Sequence, residues 1–168
     1  MPNEFPTASD VQFHAAMRQL ATSVAVLTTI DGCQRYGITT TSTASVSEDP
    51  PLISVGINKQ SWVCDALMRS RIFCISMLGV SQASVARAFS ALPRERRFDA
   101  GEWESLSTGA PALTGALAAF DCTMFNSIEV KTHYVVIGRI LTTRIASNAA
   151  PLIYRDRKYL TVGEVESW

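Results

Sequence analysis

The sequence predicts a mainly β domain, closed as a small antiparallel barrel with a few short flanking helices. Three observations carry that prediction. Six or seven Val/Ile/Thr-rich runs recur between Thr22 and Leu160, mostly separated by short turn signals. Helical periodicity is confined to two or three short segments, so helices do not alternate with strands as a parallel βαβ sheet requires. A sheet of that size has two exposed edges, and closure removes them. At 168 residues, 47% of them hydrophobic, the chain fits one domain over 1–168, with an N-terminal helical arm at 1–20.

The elements follow in order. Ser9, with Gln12 three residues on, forms a capping box for a first helix. Phe13, Ala16, Met17 and Leu20 give that helix an apolar face, expected to pack across an end of the core. Ser23–Ile30 reads as a strand, and Asp31-Gly32 as the central pair of a tight hairpin. The return strand is expected as one run from Arg35 to Ser47, ended by Glu48-Asp49-Pro50-Pro51. Leu52–Ile57 is the next strand. Ser61 is placed to cap a helix carrying Trp62, Ala66 and Leu67, and Ser81 one running to Phe89. Arg71–Leu78 lies between them as a strand. Pro93–Gly109, polar and without period, reads as an ordered loop. Leu117–Ile128 and Tyr134–Ile145 are two long strands, and Leu152–Leu160 a last one.

Fifteen basic residues balance fifteen acidic ones, which excludes a broad electrostatic partner such as nucleic acid or an anionic membrane. Cys33, Cys64, Cys74 and Cys122 form no CxxC unit, so no metal site is expected. Met1–Asp10 lacks the basic start and apolar block of a signal peptide, and no apolar run spans a bilayer, so a cytoplasmic protein is expected. Neither GxGxxG after a strand nor GxSxG is present.

Gly37–Ser47 is the segment with the most unusual chemistry. Thr39, Thr40, Thr41, Ser42, Ser45 and Ser47 offer hydroxyls on both faces of a strand, suited to phosphate or to the polar edge of a flat heterocycle. An edge strand that uses threonine for its β-propensity is the other reading. Asn58, Lys59 and Ser61 precede a helix start, where an ammonium and free N–H groups cradle an anion; a simple serine cap beside a surface lysine also fits. His133 opens a strand, either as a titratable group beside a cleft or as a structural residue. Arg97, within Arg94–Arg97, and Tyr154 could hold a phosphate and cover a ring face, or serve as a solvated rim.

These segments together resemble the flavin reductase family with the FMN-binding split-barrel fold, the reductase components of two-component monooxygenases. The resemblance rests on Val24–Thr29 with Asp31-Gly32, Gly37-Ile38-Thr39, Ser45-Val46-Ser47 and Asp49-Pro50-Pro51-Leu52. It continues through Phe73–Ser76, Gln82, Arg97-Phe98, Trp103, Gly109–Leu113 and Phe120-Asp121-Cys122. Thr132-His133, Ile137-Gly138-Arg139, Pro151-Leu152 and Tyr154 complete it over about residues 13–162. It implies a closed Greek-key split barrel, and a homodimer that binds FMN or FAD and takes a hydride from NADH or NADPH. It further implies a partner monooxygenase that receives the reduced flavin, with the hydroxyls of Thr39, Thr40, Thr41, Ser42, Ser45 and Ser47 on the flavin, Asn58, Lys59 and Ser61 near its phosphate, and His133 as the catalytic residue at the nicotinamide. Lys131-Thr132 stands where many members have Gly-Asp. A flavin-binding carrier or redox sensor, and an oxidase acting directly on a small substrate, are the competing readings.

Overall fold

The computed structural model describes residues 7–146 and 149–163; the first six residues of the expected arm lie outside them. Its elements run α1 (Asp10–Met17), β1 (Thr22–Ser23), β2 (Ala25–Asp31), β3 (Gln34–Thr40), β4 (Thr43–Glu48), β5 (Pro51–Asn58), α2 (Cys64–Ser70) and β6 (Ile72–Met77). Then come α3 (Ala83–Ala91), β7 (Trp103–Ser105), β8 (Pro111–Leu113), β9 (Ala118–Val130), β10 (His133–Ile145), β11 (Ile153–Arg155) and β12 (Lys158–Leu160). Short 3-10 turns at Val80–Gln82 and Arg94–Asp99 complete the order.

Seven strands form one antiparallel sheet in the order β3-β2-β6-β9-β10-β5-β4. Its two edges, β3 and β4, are consecutive in sequence and joined only by Thr41-Ser42. Three Cα steps can span at most about 11 Å. A flat seven-stranded sheet would hold its edges about 29 Å apart, so the sheet must roll until one end of each edge meets the other. No β3–β4 pairing is present among the described residues, so hydrogen bonding does not show the expected closed barrel.

The roll has apolar residues on both faces of β2, which explains its unbroken hydrophobic run. Ala25 and Leu27 point inward with Val55, Phe73, Ile75 and Val136. Val24 and Val26 point outward to Phe89, Leu113 and Leu152. Helix α3 lies over β3 so closely that a Cβ at Gly37 would fall 2.4 Å from Phe89 Cε1.

Several expectations change. The capping box of α1 forms as expected, with Ser9 accepting from the Gln12 N–H. Yet none of the helix is buried, because only its C-terminal end is held: Arg18 O accepts from Asp156 N–H, and Arg155 donates to Gln19. The first hairpin turns on Gly32-Cys33, since Asp31 pairs with Gln34. Gly32 at φ 60° occupies the first central position, as a type II′ turn demands. The expected single return strand is two strands. Helix α2 starts at Cys64 without a side-chain cap, and α3 starts after a 3-10 turn stapled by Gly79 N–H to Gln82 Oε1. The presumed loop contains β7, paired with β8, and the last strand is the hairpin β11–β12. No helix among the described residues is long and apolar enough to cross a membrane.

Candidate functional site

The corner between β3 and β4 is built by a side chain that replaces its own backbone. If the β4–β5 ladder continued one step past Thr43↔Val55, Ser42 would pair with Gly56. Instead, the Ser42 hydroxyl donates to Gly56 O and accepts from Gly56 N–H, both at 3.1 Å. Thr40 Oγ1 accepts from Ser42 N–H at 3.2 Å. Serine satisfies the ladder through its hydroxyl and frees the main chain to turn.

Beside this corner opens a cleft of about 620 Å³. Its lining mixes the hydroxyls of Thr22, Ser23, Thr41, Thr43, Ser45 and Ser47 with apolar side chains of Leu52, Ile53, Met77, Phe120 and Ile140, and on the β4–β5 floor the two kinds are direct cross-strand neighbours. A β-bulge at Val46, between Ser45↔Ile53 and Ser47↔Leu52, shapes that floor. A second cleft adjoins it through Thr22 and Thr41, and its lining includes Ser42, Tyr154, Arg157 and His14. A flat heterocycle with a polar edge and an apolar body finds both kinds of partner in such a lining, and the cleft's size lies within the usual range for ligand sites.

The other candidates gather about the end of β5. His133 on β10 pairs with Asn58 on β5. Lys59 N–H donates to Thr132 O at 2.9 Å, and Thr132 Oγ1 shares a 2.8 Å hydrogen bond with His133 Nδ1. Residues about 70 positions apart therefore meet. Asn58 Oδ1 accepts from Gln60 N–H, and Ser61 Oγ accepts from Val63 N–H. Lys59 Nζ is paired with Glu129. From Gly56, where the corner is fastened, to Asn58 is about 7 Å along β5.

Ser47 Oγ donates to Asp49 O at 3.1 Å, and two further candidates have partners in the frame. The Thr39 hydroxyl donates to Ala86 O at 2.8 Å, tying β3 to α3 and away from the cleft. Arg97 donates to Leu92 O and to Gly37 O, each at 3.1 Å, and lies over Trp62 with Arg94. Burial, and then Arg94, lower the Arg97 pKa from its ordinary value. Among its neighbours, Arg96 pairs with Asp99.

Residues 17–163 match the family model described as flavin reductase like domain. The chain belongs to the flavin reductase family. A relative named FMN reductase (NADH) RutF 2, from Methylorubrum extorquens, is 37% identical over 156 residues, covering 92% of this chain and 91% of that protein. The NADH:FAD oxidoreductase SgcE6 of Streptomyces globisporus superposes with a TM-score of 0.87 at 26% identity, over 98% of this chain and all of that one. BorF, the flavin reductase component of a bacterial two-component tryptophan halogenase, gives 0.84 at 29% identity, over 93% and 99% of the two chains.

Within this flavin reductase fold, sequence reasoning missed Thr22, Ser23 and Thr43 as cleft residues and Glu129 as the partner of Lys59. The continuous hydroxyl pattern from Thr39 to Ser47 includes Thr43 and could have pointed to it. Nothing local marks Glu129, which meets Lys59 across the intervening strand β10.

Proposed function

We infer that this chain is an NADH-dependent flavin reductase that supplies reduced flavin to a partner oxygenase. The observation that carries the reading is the cleft at the β3–β4 corner, lined by hydroxyls and apolar side chains together, in a chain of the flavin reductase family. Relatives named FMN reductase (NADH) favour FMN and NADH, while SgcE6 keeps FAD as a second flavin. A two-component halogenase reductase among the similar structures supports a flavin-dependent monooxygenase or halogenase as the recipient.

Bound flavin supplies the acceptor for the nicotinamide hydride. The chain's residues do the rest. Thr41 and Ser45 would donate to and accept from the polar edge of the ring, and Ser47, whose hydroxyl donates to Asp49 O, would accept, while Ile53, Met77 and Phe120 would pack on its apolar body. Thr40 and Ser42 hold the corner that aims those hydroxyls. Asn58, Lys59 and Ser61 would take the phosphate with the Asn58 side-chain amide, the Ser61 hydroxyl and the Lys59 ammonium, since the backbone N–H groups of Lys59, Gln60 and Ser61 are already paired. His133, whose Nδ1 is engaged by Thr132, presents Nε2 to the nicotinamide. Arg97 and Thr39 serve by anchoring β3, and Tyr154 by walling the adjoining cleft.

The rolled sheet is read as the family's split barrel, with its seam between β3 and β4. Exposed apolar side chains on β9 and β10, among them Phe125, Ile128, Val130 and Leu141, support a homodimer. The four free cysteines are compatible with a reducing cytoplasm. The test is a purified-protein assay with FMN or FAD and NADH or NADPH. Flavin-dependent loss of reduced-nicotinamide absorbance is expected, with NADH preferred. Tight flavin binding without nucleotide oxidation would instead assign a carrier.

A further inference from the structure

We propose that Glu129 is a specificity-determining counter-ion of the flavin site: by holding Lys59 it competes with the flavin phosphate and keeps FMN exchangeable. The inference rests on the reading of Lys59 as a phosphate ligand.

The geometry places the competition in one side chain. The Lys59 backbone is fixed, because its N–H donates to Thr132 O at 2.9 Å. Its ammonium leans across β10, over the Tyr134 ring at 5.3 Å to centroid, and ends on Glu129 of β9. Tyr134 is the direct cross-strand neighbour of Glu129, which explains the path of the lysine stem. The two charged side chains are 29% and 62% exposed, so solvent reaches the pair and it can open.

A flavin phosphate, with a charge of roughly −1.5 to −2 and three acceptor oxygens, can draw Lys59 away from a single carboxylate. It does so against the existing pair and beside the remaining negative charge of Glu129. Both effects weaken FMN and neither touches riboflavin, which has no phosphate. Affinity lost this way falls mainly on the release rate, which suits a protein that hands its product to another enzyme.

The experiment titrates FMN and riboflavin, without nucleotide, into the wild-type chain and into Glu129→Gln, Lys59→Ala and the double variant, following flavin fluorescence at low salt. Glu129→Gln is expected to bind FMN about two- to fivefold more tightly, the range set by a solvent-exposed ion pair. Riboflavin affinity should stay put, and the gain should vanish in the Lys59→Ala background. FMN affinity that is unchanged or weaker in Glu129→Gln, while Lys59→Ala weakens FMN, overturns this inference and spares the phosphate role of Lys59. Unchanged FMN affinity in Lys59→Ala overturns that role, and the inference with it. An equal shift for both flavins overturns the inference, as does a changed NADH KM with riboflavin as acceptor, which would make the competing phosphate that of the nucleotide. Equal melting temperatures across the variants confirm that each is folded.

Discussion

Ser42→Ala tests the corner on which the cleft depends. The substitution removes the oxygen that accepts from Gly56 N–H and donates to Gly56 O, each bond 3.1 Å long. A net hydrogen bond contributes about 0.5–1.5 kcal/mol, so two set a ceiling of about 3 kcal/mol. Ser42 is exposed and water can replace part of the loss, so we take about 1–2 kcal/mol as the expected cost. In a domain of this size that lowers Tm by about 2–8 °C. The released backbone also lets Thr41 leave the cleft wall, so FMN affinity should fall along with stability. Urea unfolding and flavin titration of the same preparation read the two effects. A variant with wild-type Tm and wild-type FMN affinity would show that the corner is held by something else, and the reasoning would fail.

Gly37→Ala would put a methyl 2.4 Å from Phe89 Cε1, with the ring locked by Phe98 and Trp103 at 5.0 and 5.2 Å; a loss of about 1–3 kcal/mol is expected in urea unfolding. Wild-type stability would mean that α3 can lift off β3 freely. His133→Ala should lower NADH-dependent turnover by about a hundredfold if it orients the nicotinamide; unchanged turnover and unchanged NADH KM would remove that role. Burial pushes the Cys74 thiol from 9.0 up to about 12, and raises Cys122 as well. The unfolded chain therefore loses these protons first, so stability is full below about pH 9 and declines as pH rises toward 12, by up to about 1.4 kcal/mol per pH unit for each thiol. Urea midpoints at neutral and alkaline pH should show that slope, and a Cys74→Ala/Cys122→Ala variant should flatten it; an equal slope in the variant would assign it to other groups.

What could be read from the sequence depended on whether the cause of a feature was local. β9 and β10 were legible because long apolar runs on either side of Lys131-Thr132 leave few alternatives. The first hairpin was legible through Gly32, although its turn sits one residue later than Asp-Gly suggested. The break at Thr41-Ser42 was not, because both halves share one Thr/Ser composition and the residue that fastens the corner, Gly56, lies 14 positions away. The packing of α1 failed for another reason. The helix ends at Met17, so Leu20 falls outside it, and its apolar residues are spread around the axis rather than gathered on one face, so none is buried. Asn58 and Lys59 are neighbours in sequence, but only the β5–β10 register brings His133 to them. Arg97 also has partners invisible from sequence, since Leu92 O and Gly37 O take two of its five N–H donors and tie it to β3.

The seam has a colloidal consequence as well. β4 is an edge strand, and an edge with free backbone groups is a template for cross-chain aggregation. Alternate side chains are the alcohols of Thr43, Ser45 and Ser47, the bulge at Val46 interrupts the strand and the charge of Glu48 ends it, and the bulge and the charge discourage a foreign strand from adding on. Those same hydroxyls line the cleft. Stripping them to valine in order to abolish binding would raise β-propensity along an unpaired edge, so a chain emptied of its ligand in this way would be expected to lose solubility before it lost its fold.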